Sequence, residues 1–409
     1  MSIAVHVTHE AIHKVGGIGA VLAGLITSQP YRQATERTIL VGPLVDRHRA
    51  EPLGVDGTVL YDNWSGVWSE SVGTALYDIE RQRGVRLVYG RRRFLCPDGT
   101  QVEPEVLLVD VEGSVPHGLD HFKFLLFQAF GLASDRYDGE WEYEQYMRLA
   151  EPAYDAVMSL LRDRGDACVH FIAHEFMGLP TAFKARLVSA PGVSTVFYAH
   201  EVATARRLVD ELPGRDIAFY GALRAAAASG QYIEDVFGPQ EMFYKHALVR
   251  QAWRCDAIFA VGDLVMQELT FLAPEFATSV IERVYNGVPV ALALPPAERE
   301  AARARLAGVA QALLGWSPDI ILTHVGRLVP SKGLWRDLMV LEALEELLAA
   351  QGRSALLIVL ATDAGPRLAA SIEQMRRDYE WPVVHREGYP DLTPGEVTFD
   401  LQVRAFNAR

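Results

Sequence analysis

Short apolar runs of β character alternate along the chain with segments of helical periodicity. SIAVHV (Ser2–Val7) predicts a first strand, Gly17–Ser28 a first helix, and RTILVG (Arg37–Gly42) a second strand. Residues 45–115 are less regular: TALYDI (74–79), VRLVYG (85–90) and EVLLVDV (105–111) read as strands separated by Gly, Pro and Arg. Glu140–Arg164 predicts a long helix, after which the rhythm resumes. ACVHFIAH (167–174) reads as a strand, GLPTAFKARLV (178–188) as a helix, STVFYAH (194–200) as a strand and EMFYKHALVRQAWR (241–254) as a helix. DAIFAVG (256–262), DLVMQELTFL (263–272) and IERVYNG (281–287) then give strand, helix and short strand. Apolar runs of this length between helices predict a parallel sheet covered on both faces, an α/β fold of doubly wound, Rossmann-like type.

Prolines at 289, 295 and 296 mark a crossing into a second domain. An alanine-rich, charged helix leads to DIILTHVGRL (319–328), which reads as a new buried strand. Then come a helix (331–350), a strand (354–361), a helix (366–379) and a strand (382–387). The final VTFDLQVRAFNAR (397–409) reads as lacking a domain-closing helix. The expected division is therefore 1–290 as a complete N-terminal domain and 291–409 as a partial second Rossmann-like domain. That second part holds only about half of the strands of a six-stranded sheet.

Composition narrows the function. A 409-residue chain that is 50% hydrophobic and 22% charged is an ordinary globular protein. A net charge of −13 argues against a nucleic-acid or anionic-membrane surface, so any bound phosphate has to be held by a few local cations. Cys96, Cys168 and Cys255 form no C-x-x-C pair, which suits a reducing compartment and offers no metal or disulfide framework. With a strand starting at residue 2 and no bilayer-length apolar run, a cytoplasmic location is expected.

Four polar groups fall at the C-terminal ends of predicted strands, where open α/β sheets bind ligands. Lys14, Gly16 and Gly17 follow the first strand, in HKVGGIGAVLAGL (13–25). A glycine-rich turn lets backbone approach a ligand and points N–H groups at an anion, although plain turn geometry accounts for it equally well. His174 and Glu175 follow the strand at 167–174, and His200 and Glu201 the strand at 194–200. Arg327 and Lys332 lie in GRLVPSKG (326–333), where Pro330 and Ser331 make a turn and Lys332 begins a helix. Two cations beside a helix N-terminus suit a diphosphate. His174, Glu175, His200 and Glu201 come from separate strands without H-x-x-x-H or H-E-x-x-H spacing, so no metal site is expected. His200 is read as a hydrogen-bonding residue and His174 as a structural one. His6, His9 and His13 are expected to splay apart, and Asn286 to sit in a turn.

The order KVGGIGAVL, HEFMGLP, TVFYAHE, VYNGV and VGRLVPSKG resembles the GT-B glycosyltransferases, and within them the glycogen and starch synthases. HKVGGI, DIAFYGAL (216–223) and EMFYKHALVRQAWRCDAIFAVGDLVMQEL (241–269) look most like the eukaryotic-type glycogen synthases. The resemblance runs from about Val5 to about Leu360. It implies retaining transfer of glucose from a nucleotide-diphosphate glucose, ADP- or UDP-glucose, to an α-1,4-glucan, without a metal or other cofactor. Carried over, Lys14, Gly16 and Gly17 contact the donor, His200 lies near the transferred sugar, and Arg327 and Lys332 hold the diphosphate. The family's glutamate-bearing E-P-x-G segment has no match after Leu360, which implies truncation of the second domain. The alternatives are a retaining GT-B transferase with another acceptor, such as a sucrose, trehalose or lipid enzyme, and a catalytically silent sugar-nucleotide- or glucan-binding protein. Homo-oligomerisation is left open.

Overall fold

The computed structural model describes residues 2–12, 17–287, 294–361 and 394–408. The chain separates into two units, Met1–Arg207 with Tyr220–Val290, and Leu208–Phe219 with Ala291–Arg409.

The first unit is built on a nine-stranded sheet. Its strands are β1 (Ser2–Val7), β2 (Arg37–Pro43), β3 (Gly57–Tyr61), β4 (Leu87–Arg92), β7 (Glu105–Val109), β8 (Cys168–His174), β9 (Val193–Ala199), β10 (Ala257–Ala260) and β11 (Ile281–Arg283), with a separate hairpin of β5 (Phe94–Leu95) and β6 (Gln101–Val102). The order across the sheet is β11-β10-β9-β8-β1-β2-β7-β4-β3. Only β4 runs against its neighbours β3 and β7; the other pairings are parallel. The sequence explains the arrangement: Val5, Ile39, Leu107, Val169 and Phe197 are fully buried, as interior parallel strands require.

The chain leaves β1 toward β2 on one side and β8 toward β9 on the other. The direction of winding therefore reverses between β1 and β8, and the C-terminal ends of strands at such a reversal are where open α/β sheets bind ligands. The long helix Trp141–Leu160 packs on β2, β7 and the helix Glu175–Val188. Gly178 lets the latter helix lie close on the sheet. A Cβ there would stand 2.5 Å from Ala173 Cα and 2.7 Å from Val7 O.

Three expectations are corrected. TALYDI is not a strand but part of the helix Gly73–Arg83. Its buried positions, Gly73, Leu76 and Glu80, follow helical spacing, and Gly84 at φ +67° closes it, so the longer period outweighs the short β-like run. The single helix expected over 241–254 is two pieces, Tyr244–Val249 and a 3₁₀ turn at Ala252–Arg254. The C-terminal segment does form a helix, Pro394–Asn407, packed on the helix Leu334–Ala350. Proline suits its first turn, and the i,i+4 pair Asp400–Arg404 at 2.6 Å adds support.

In the second unit, β12 (Ile320–Gly326) pairs in parallel with β13 (Ala355–Ala361). β12 is half-buried to exposed rather than buried as expected, because β13 alone flanks it among the described residues. The expected helix at 366–379 and strand at 382–387 lie outside the described residues.

Candidate functional site

The C-terminal ends of β1, β8 and β9 gather three histidines. β1 pairs with β8 so that His6 stands opposite Ile172, and β8 pairs with β9 so that His174 stands opposite Tyr198; residues 6, 174 and 200 are thus each stepped two residues along from the last. His6 Nδ1 lies 2.9 Å from His174 Nε2, and His174 Nδ1 lies 2.9 Å from His200 Nε2. At the far end, His6 Nε2 is 2.9 Å from the Tyr31 hydroxyl, which is 2.9 Å from Thr38 Oγ1. The His200 ring lies within 18° of the His174 plane with centroids 5.2 Å apart, edge to edge as their hydrogen bond requires, and it stacks on Tyr198 at 4.5 Å. Burial pushes His6 down to about 3 and His200 down to about 4, and holds His174 well below the usual imidazole range. All three rings are therefore neutral at pH 7, and each carries one ring proton.

Glu175 anchors the backbone beside His200. It sits at φ +55°, in the left-handed region, where β8 turns into its helix. Its buried Oε1 accepts hydrogen bonds from the backbone N–H groups of His200 and Glu201, at 2.5 and 2.7 Å. Burial first, and the Glu201 charge second, push the Glu175 carboxyl up to about 8 against the pull of those two amides. Farther along, Arg206 pairs with the buried Glu268 at 2.6 Å, and the Tyr220 hydroxyl donates to the same oxygen at 2.5 Å. These contacts hold the segment after His200.

After β1, Glu10 Oε2 accepts the Gly19 N–H at 2.8 Å, so one amide in the first turn of the helix Gly17–Thr27 is already held by the chain's own carboxylate. Gly17 opens the helix Gly17–Thr27, and a Cβ at Gly17 would meet nothing within 4 Å. Packing therefore does not demand glycine there. Lys14 and Gly16, with His13, lie outside the described residues. His6 and His9 diverge: His9 Nδ1 meets the Tyr146 hydroxyl at 3.0 Å.

In the second unit, Arg327 follows β12 and is exposed, as is Lys332. Lys332 does not begin the helix as expected. It closes a 3₁₀ turn, Pro330–Lys332, and Gly333 at φ +76° separates it from the helix Leu334–Ala350. Two successive helical turns need a left-handed hinge here, and glycine supplies it without strain. The Ser331 N–H donates to Asp210 Oδ1 at 2.6 Å, which fixes the turn. His324 Nδ1 pairs with Asp337 Oδ2 at 2.6 Å below it.

Among the described residues no group of three or more His, Cys, Asp or Glu side chains is placed to hold a metal ion. His174 and His200 bond one another, while Glu175 is taken up by backbone amides. Sequence reasoning missed Tyr31, Thr38 and the part played by His6. No local motif marks them: residues 6 and 174 meet only through strand pairing. A histidine pointing inward from a central strand is the one signal the sequence offers. No helix among the described residues is long and apolar enough to cross a membrane.

No protein-family model matches the chain, and no curated protein sequence does. Solved structures similar to it include the catalytic domain of starch synthase IV from Arabidopsis thaliana bound to ADP and acarbose, at TM-score 0.46 and 14% identity over 93% of this chain and 72% of that one. A UDP-forming alpha,alpha-trehalose-phosphate synthase from Burkholderia xenovorans aligns at TM-score 0.45 and 15% identity over 100% and 70%. An alpha,alpha-trehalose 6-phosphate synthase from Burkholderia multivorans aligns at TM-score 0.46 and 16% identity over 100% and 69%.

Proposed function

We propose that the chain is a GT-B-type retaining glucosyltransferase that uses a nucleotide-diphosphate glucose as donor and an α-1,4-glucan as acceptor, without a metal. The observation that carries this reading is the neutral, backbone-anchored His200 at the C-terminal end of β9, joined through His174 to the strands that flank the reversal of a doubly wound sheet. It stands in a chain whose motif order also supplies GRLVPSKG at the end of β12. A neutral imidazole hydrogen-bonds a sugar hydroxyl without adding charge, which suits a residue beside the transferred sugar. Arg327 and Lys332 are the donor-diphosphate residues in this reading. As the glycosyl bond breaks, negative charge grows on the leaving nucleotide, and fixed cations stabilise that charge more in the transition state than in the ground state. Lys14 and the amides of Gly16 and Gly17 are assigned to donor contact.

The test is sugar transfer from ADP-glucose and UDP-glucose, each with and without glycogen, in the presence of EDTA. Glucan elongation with either donor is the expected result. Transfer only when another acceptor, such as glucose 6-phosphate, replaces glycogen would overturn the acceptor assignment. Donor binding without turnover would make the chain a binding protein.

A further inference from the structure

We propose that Thr38, Tyr31, His6 and His174 form a one-way hydrogen-bond relay that fixes which ring nitrogen of His200 carries the proton. The inference rests on the reading of His200 as the residue that meets the substrate. The four bonds at 2.9 Å form an unbroken line from Thr38 to His200, in which the Tyr31 hydroxyl makes two bonds and His6 and His174 each use both ring nitrogens. A neutral imidazole has one donor and one acceptor. Choosing the direction of one bond therefore chooses all of them.

The choice is made at the Tyr31 end. A phenol is a far stronger acid than an alcohol, and an imidazole nitrogen is a better acceptor than a hydroxyl. The Tyr31 O–H accordingly donates to His6 Nε2, and the Thr38 O–H donates to the Tyr31 oxygen. His6 then carries its proton on Nδ1 and donates to His174 Nε2. His174 carries its proton on Nδ1 and donates to His200 Nε2. His200 is left protonated on Nδ1, an atom with no hydrogen bond to any described residue. The site is thereby supplied with a preset donor rather than an imidazole free to take either tautomer. His6 and His174 are fully buried, so water does not interrupt the line between them. Tyr31, His6 and His174 are positioning residues in this scheme. No proton is consumed or released; the relay sets an orientation.

The test is ring ¹⁵N NMR on the full chain labelled with [¹⁵N]histidine, comparing wild type with Tyr31→Phe and Thr38→Val. The wild-type His200 signal should be that of the Nδ1-protonated neutral tautomer. Tyr31→Phe removes the donor that sets the direction, and the signal should move toward a mixture of tautomers. Thr38→Val leaves the Tyr31 donor in place, and the signal should stay as in wild type. An unchanged His200 tautomer in Tyr31→Phe, or a flip in Thr38→Val, would overturn the relay or its direction. Adding ADP-glucose or UDP-glucose tests the underlying reading separately. If neither donor moves the His200 resonances, the functional assignment of His200 fails while the ligand-free comparison still decides the relay.

Discussion

Replacing Glu175 by glutamine should stabilise the protein, and by an amount that grows with pH. The folded carboxyl is held near 8 by burial and by Glu201, whereas the unfolded chain titrates at the ordinary 4.5. Below pH 4.5 both states carry the proton and the substitution has no titration effect. Between pH 4.5 and 8 the folded state binds more protons than the unfolded state, so wild-type stability falls as pH rises. The penalty is about 1.4 kcal/mol for each pH unit above the unfolded value, which amounts to about 3 kcal/mol at pH 7. Glutamine keeps an oxygen to accept the His200 and Glu201 amides but has no proton to lose. Its melting temperature should pull ahead of wild type by about 2–3 °C per pH unit, at roughly 2 °C for each kcal/mol in a unit of this size. Scanning calorimetry of both proteins from pH 5 to pH 8 measures the gap. Parallel curves across that range would refute the argument. They would mean that the two amides and Arg206 outweigh burial and keep the folded carboxyl ionised.

Gly17→Ala should weaken ADP- or UDP-glucose binding in a titration while leaving the melting temperature unchanged or slightly raised, because its Cβ points into open space. Lost stability with unaltered affinity would return the loop to a plain turn. Gly178→Ala should lower stability by about 1–3 kcal/mol or more, since the added Cβ meets backbone of both β1 and β8; an unchanged melting temperature would show that the helix rides freely over the sheet. Arg327→Ala and Lys332→Ala should each lower kcat by about a hundredfold, the equivalent of about 3 kcal/mol lost in the transition state. A raised KM at constant kcat would instead indicate uniform binding.

Much of the frame was legible because periodicity is local. Buried strands such as Ser2–Val7 and Cys168–His174, and helices such as Asp263–Leu272, follow from runs of apolar residues whose spacing needs no partner to be read. The strand-end placement of His174, Glu175, His200 and Glu201 was legible for the same reason. TALYDI was not, because six residues fit two periods and only the packing of the surrounding turns selects one, and the C-terminal helix was not, because its first turn at Pro394 lies before VTFDLQVRAFNAR. Strand order lies beyond periodicity altogether. It is pairing that puts β8 against β1, across 166 residues of chain, and so brings His6 to His174. The strain at Glu175, the protonation of its carboxyl and the Tyr31–His6–His174–His200 line all arise from burial and contact between distant segments. A sequence fixes which groups exist and which face of an element they occupy. The solvent each group loses, and the neighbour it gains in exchange, exist only once the sheet has assembled.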